Sequence, residues 1–509
     1  MGYGQIPAAP PSKTNFKVIF WLLRARILVS SIALKNTFYS PKYRTPEALL
    51  VDSGKDTYGE FLKSGRTLRD PIHGDILLTP LEIKIIDTRA FQRLRLIRQL
   101  GCTHLVFPGA HHTRFEHSIG TLHSSQQLID SIRRNPSCKI HFDPYAILLT
   151  RLCALLHYLA HIPFGHTLED EGNLFPSQWK DTFRVGYFLG RNSEVGNVIR
   201  SEVSDKCLRD IVQILTVKSN ADIEKLQYQY IADIIGDTFC ADLLDYTRRD
   251  SYYVGLHGSL DLRLMRYISI NHIPVSNREH VILELGKTES GGSEDRRWAL
   301  LDLLRTRYRL METVVHHRTK LRASAMIIDA VYDSFVEGKI TKQMMCELGD
   351  DALLFKLERD GTDLSRSLIR KLRGRELHRP ILELSYLPTE GSPNVSSRKE
   401  IFRFYNVPHN RCELQRKMEN KYNLPEGSII IYCPKVKDSS KSSTLMVSFG
   451  RNIVPLNECP DDSIREEIAL IDRRYLRLFK LVVLIDSKDL SSESARKNLV
   501  EDCMAEFGL

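Results

Sequence analysis

A chain of 509 residues with 42% hydrophobic and 27% charged side chains is long enough for several domains, too apolar for global disorder and too polar for a polytopic membrane protein. Of its formal charge of +9, seven positive charges sit in residues 1–46 (Lys13, Lys17, Arg24, Arg26, Lys35, Lys42, Arg44) without one Asp or Glu. The remainder is nearly neutral, so composition gives no support to a broad nucleic-acid-binding face.

Residues 18–34 are apolar but carry Arg24 and Arg26 near mid-length, so no membrane span is expected. With Pro10-Pro11, Pro41 and Pro46, residues 1–57 read as a mobile basic appendage, a mitochondrial transit segment being the alternative. The ten cysteines are scattered without a C-x-x-C pair, so no zinc ribbon is expected, and they suit reduced thiols in a cytoplasmic or nuclear setting. Helical spacing of apolar residues begins at 81–99 and continues at 113–134, at 144–157 with Asp143 as cap and Pro144 in the first turn, and at 231–253. Residues 286–295 are polar and glycine-rich and read as a loop before a further helix at 298–336. Gly286-Lys287-Thr288 is not a phosphate loop, because Val281 stands where its first glycine belongs. Short strands are expected at 381–386, 428–432, 444–449 and 481–485. The expected fold is therefore mainly α, with a helical core over 58–374 and a smaller α+β lobe over 375–509.

Three segments concentrate reactive side chains. His157, His161 and His166 lie within ten residues around a Pro-Phe-Gly turn at the end of an apolar helix. Such spacing fits either a site or helix-terminal histidines bonded to backbone. Arg114 and His117 stand one turn apart at the start of another helix, suiting a phosphate contact and a metal ligand. Asp242, Tyr246 and Asp250 recur every four residues and share one helical face, while Asp245 and Arg249 are expected to pair on another.

Taken in order, these segments resemble the HD-domain phosphohydrolases, and more narrowly their deoxynucleoside triphosphate (dNTP) triphosphohydrolase branch. The likeness runs over residues 66–485 through Asp70-Pro71-Ile72-His73-Gly74, Ile86-Asp87-Thr88, Phe91-Gln92-Arg93-Leu94-Arg95, Gln99-Leu100-Gly101, Val106-Phe107-Pro108-Gly109-Ala110 and the segment from Arg114 to His117. The resemblance implies an HD-domain helical core and a divalent or transition-metal ion (Mg, Mn, Fe or Zn) on His117, on a His-Asp doublet and on Asp242. The doublet here is His157-Tyr158, so a neutral phenol replaces one carboxylate. It further implies acid/base roles for His161, His166 and Glu169, with His166 and Glu169 as an oriented pair. Gln99 and Leu100 fall near sugar and base, Arg114 and Arg307 on phosphates, and Tyr246 and Asp250 beside the sugar. Arg66, Asp87, Gln92 and Arg95 correspond to a regulatory nucleotide site, and assembly into a dimer or tetramer goes with it. Ala160, the histidine-free stretch 175–181 and Val315 also depart from the family pattern.

Two functions follow as expectations. One is metal-dependent hydrolysis of a dNTP to deoxynucleoside and triphosphate. The other is a nucleotide-binding pseudoenzyme that serves as sensor or scaffold. Single-stranded nucleic acid, bound through subunit grooves and the basic tail, is a further candidate partner.

Overall fold

The computed structural model describes residues 58–509 apart from 176–178, 180–182, 218, 259, 275, 287–293, 389–394, 437–444, 451 and 491. The basic appendage and most of the loop expected at 286–295 lie outside the described residues. The fold is mainly α with a smaller α+β part.

A hairpin of β1 (Arg66–Asp70) and β2 (Gly74–Leu78) opens the body and is followed by helix α1 (Pro80–Ile86). Three longer helices form the centre: α2 (Arg114–Arg134), α3 (Pro144–Leu156) and α4 (Ala241–Tyr253), with α2 packed on both α3 and α4. Their starts are fixed locally. Thr113 and Glu116 make a capping box at α2, and Asp143 accepts the Ala146 N–H at 2.8 Å ahead of Pro144 at α3. Every residue of α3 from Tyr145 to Leu156 is buried, including Arg151, whose charge is met by Glu82 at 2.7 Å. The pairing offsets the cost of taking the guanidinium out of water.

The chain continues through β3 (Ile268–Ile273), β4 (Arg278–Gly286), α5 (Glu294–Leu310), α6 (Arg318–Val336), β5 (Arg379–Ser385), α7 (Pro408–Tyr422), β6 (Ile429–Tyr432), β7 (Met446–Phe449), β8 (Asn452–Pro455), α8 (Asp462–Leu478) and β9 (Lys480–Ile485). One sheet has the order β3-β4-β7-β8 with β4 and β7 parallel; the other is antiparallel in the order β5-β9-β6. Helix α6 carries much of the second core, where Met326 and Ile327 meet Phe164, Leu168, Ile430 and Leu484.

Strands occur near all four expected places after residue 375, and β1 to β4 and β8 were not anticipated. Expected helices are interrupted where side chains compete for backbone groups. The Thr88 hydroxyl accepts the Phe91 N–H, so 81–99 becomes α1, a short helix Arg89–Gln92 and a 3-10 turn Arg93–Leu96. Extended backbone at Asp237 splits 231–253, and a π-turn at Met311–Val315, followed by the His317 cap, splits 298–336. All ten cysteines are free thiols, and no described helix is long and apolar enough to cross a membrane.

Candidate metal centre and active-site pocket

Three helix ends converge on one point. His117 comes from the first turn of α2, His157 from the residue that ends α3, and Asp242 from the first turn of α4. One donor atom from each lies within 4.8 Å of the other two. Asp242 Oδ1 is 3.0 Å from His117 Nε2 and 3.5 Å from His157 Nε2.

The hydrogen bonds on the far nitrogens orient both rings. His157 Nδ1 faces the Ala154 carbonyl at 2.7 Å, and His117 Nδ1 faces Asp245 Oδ2 at 2.7 Å. Each Nδ1 is thereby held as the protonated nitrogen, so that each Nε2 is the atom that faces the centre and would give its lone pair to a metal ion, His117 on losing its second proton. Among the described residues the buried His157 Nε2 has no hydrogen-bond partner, as suits a ligand atom. Charge fits as well. With His117 neutral, the connected set Asp70, Asp242, Asp245 and Arg249 has three carboxylates to one guanidinium, an excess that a divalent cation would balance. Two imidazoles and a carboxylate suit Mn, Fe or Zn better than Ca.

Burial works against charge on His117, but its hydrogen bonds to Asp242 and Asp245 outweigh it and lift the imidazole to about 9. Burial wins at His157, whose pKa falls despite Asp242. For Asp242 burial favours the neutral acid, yet the two imidazoles hold it well below the usual carboxylate range.

Tyr158 occupies the middle of this group. Its ring stacks on His157 at 4.1 Å between centroids and lies 4.7 Å from His117 and 4.5 Å from His161. Burial, reinforced by Asp242, pushes its phenol well above the usual value, so it stays neutral. Arg114 stands over the same ring, 4.7 Å from guanidinium carbon to centroid. Arg114 is buried, and among the described residues its Nε and Nη1 have no hydrogen-bond partner. Gly165, with φ +39°, makes room for it: a Cβ there would run into the guanidinium.

The acid/base candidates are arranged differently from expectation. His166 is half-exposed and pairs with Asp170 at 2.7 Å, not with Glu169. Thr167–Glu171 is a π-turn, which widens the spiral and swings Glu169 inward. There Glu169 meets the Arg184 guanidinium and lies 3.3 Å from His161 Nδ1. Burial lowers the His161 pKa well below 6.5, with Arg114 adding to the effect.

The other predicted residues are spread around this centre. Asp250 is held by His112 at 2.8 Å, and Tyr246 lies against Arg307 of α5. Gln99 offers a buried Oε1 without a hydrogen-bond partner among the described residues. Leu100 packs against Val254, Leu310 and Val314. Arg66 and Asp87 are exposed; Gln92 and Arg95 touch each other, with Arg95 Nε 2.9 Å from Gln92 Oε1 and its guanidinium over Phe115. Sequence reasoning missed Arg184, His112 and His73. It also read Asp245 as purely structural, whereas Asp245 holds His117; the Asp70-Pro71-Ile72-His73-Gly74 segment was its only visible signal.

Comparison with known proteins places these residues in context. A family model described as HD associated region matches residues 300–462. An uncharacterised protein of Methanocaldococcus jannaschii is 31% identical over 324 residues, covering 63% of this chain and 60% of that one. The deoxynucleoside triphosphate triphosphohydrolase SAMHD1 homologue of Dictyostelium discoideum is 28% identical over 342 residues, 65% of this chain and 62% of that one. The human deoxynucleoside triphosphate triphosphohydrolase SAMHD1 is 28% identical over 297 residues, 53% and 45% of the two chains. The chain thus spans 60–66% of the length of the first three such relatives. The crystal structure of a hypothetical protein from Aquifex aeolicus shares the fold, with a TM-score of 0.58 at 22% identity over 85% of this chain and 99% of that one.

Proposed function

Because the chain belongs to the HD-domain dNTPase-like family, we propose that it binds a divalent or transition-metal ion on His117, His157 and Asp242 and hydrolyses a dNTP to deoxynucleoside and triphosphate. The observation that carries this reading is the convergence of the three ligands beside a buried Arg114 whose Nε and Nη1 have no hydrogen-bond partner among the described residues. A bound ion supplies Lewis-acid polarisation of a phosphate oxygen and lowers the pKa of water.

The chain's own residues do the rest. The oxygen of water adds to the α-phosphorus and gives up a proton to solvent, the bond from phosphorus to the 5′-oxygen breaks, and that oxygen takes a proton. Arg114 neutralises charge building on the phosphate oxygens, and Arg307 meets the outer phosphates. His166, held by Asp170 at 2.7 Å, donates the proton. Glu169, fixed by Arg184, orients the neutral His161 beside the reacting phosphate. Gln99, Leu100, Tyr246 and Asp250 receive the nucleoside. Arg66, Asp87, Gln92 and Arg95 form a nucleotide-responsive surface used in dimer or tetramer assembly.

One observation favours a second reading, a nucleotide-binding pseudoenzyme. The Tyr158 ring packs within 5 Å of His117, His157 and Arg114 alike, a bulk that an aspartate would not bring to the centre. Incubation of the purified chain with each dNTP and Mn, Mg or Fe distinguishes the two. Triphosphate release by the wild-type chain supports the hydrolase. Release only by Tyr158→Asp, with wild-type thermal shifts on adding dNTP, supports the pseudoenzyme. Neither release nor a shift in either protein contradicts both.

A further inference from the structure

We propose that the turn between β1 and β2 is a positioning device for the metal centre: Asp70, His73 and Arg249 hold Asp245, and Asp245 sets the orientation and donor strength of His117. This rests on reading His117 as a metal ligand.

The geometry is closed. Asp245 Oδ2 accepts from His117 Nδ1 at 2.7 Å and from Arg249 Nε at 2.8 Å. Asp245 Oδ1 accepts from His73 Nε2 at 2.6 Å and from Arg249 Nη2 at 2.8 Å. Four donors saturate the lone pairs of one carboxylate. Arg249 spends its remaining nitrogen on Asp70 Oδ2 at 2.8 Å. Asp70 Oδ1 in turn accepts the backbone N–H groups of Ile72 and His73 at 2.8 and 2.9 Å, so the carboxylate that anchors Arg249 also shapes the turn. Arg248 closes it from outside, donating to the Ile72 carbonyl at 3.1 Å. The side chains of His73, His117, Asp245 and Arg249 have no exposed surface, and that of Asp70 has 2%. No solvent competes for these bonds.

Two arguments separate this arrangement from ordinary packing. A buried ionic group is a costly way to anchor a hairpin, since apolar side chains of the same volume often hold as well or better. And every bond in the set leads to the one nitrogen of His117 that does not face Asp242. An imidazole whose far N–H is held by a fixed carboxylate keeps its tautomer and becomes a stronger donor, and losing such a partner typically weakens metal binding by roughly 10- to 100-fold.

The test titrates the full chain with Mn2+, following the free ion by its electron paramagnetic resonance signal, beside the melting temperature of the metal-free protein. His73→Phe keeps a ring but removes the donor to Asp245; His73→Gln restores an N–H there; Asp70→Asn weakens the hold on Arg249 from the turn. The proposal expects His73→Phe to weaken Mn2+ binding several-fold, up to about the tenfold that loss of the ligand's own partner costs, with His73→Gln recovering most of the loss. Should His73→Phe fail to fold, Asp70→Asn is expected to weaken binding in the same direction. Wild-type Mn2+ affinity in these folded variants would overturn the proposal, as would equal losses in the Phe and Gln variants that merely track melting temperature. If the wild-type chain binds no Mn2+, the metal centre itself is refuted and the positioning role falls with it.

Discussion

His117 joins three functions in one imidazole: it ends the Asp245 network, faces Asp242 and touches the Tyr158 ring. Its raised pKa has a consequence with a definite sign. The folded value of about 9 exceeds the ordinary 6.5, so the proton stabilises the metal-free fold fully below about pH 6.5, and that contribution is lost as pH rises through about 9. A metal ion must displace the same proton. Mn2+ affinity is therefore expected to rise by up to about tenfold per pH unit towards pH 9 and then level off. A titration series from pH 6 to pH 9.5 checks it, and an affinity flat across that range contradicts it. At this scale much of the candidate site was legible, because His117, His157 and Asp242 fall in separated motifs whose residue types fit a metal. The inward turn of Glu169 was not. It depends on one extra residue in the spiral at 167–171, which no side-chain pattern announces.

Among the elements, α2 and α4 approach closely only because Gly120 lacks a side chain. A Cβ at that position would run into the Asp245 carboxylate and the Arg249 guanidinium. Gly120→Ala is expected to destabilise the fold by about 3 kcal/mol or more, because the clash must separate a buried ion pair. Denaturant unfolding measures this, and a loss under about 1 kcal/mol would show that the helices yield easily. Helices were readable from apolar spacing and from caps such as Asp143 with Pro144. Their interruptions were not, since Thr88 and His317 act by bonding backbone that a periodic pattern treats as continuous.

For the molecule as a whole, sequence order hides the contacts that matter most. β4 pairs in parallel with β7, placing Ile282 opposite Met446, and His73 meets Asp245 across 172 residues. Local patterns carry no information on such partners; the pairings of β1 with β2 and of β3 with β4 are local hairpins and went unanticipated all the same, in a reading that found strands near all four expected places after residue 375. The same long-range closure brings three ligands from three helices to one point. Metal content after loading with Mn2+ and exhaustive desalting tests that convergence most directly, in the wild-type chain beside Asp242→Ala and His157→Ala. The expected result is one ion per wild-type chain and almost none in either variant, with both variants folded. A wild-type chain that retains no ion, or variants that retain as much as the wild type, would contradict it.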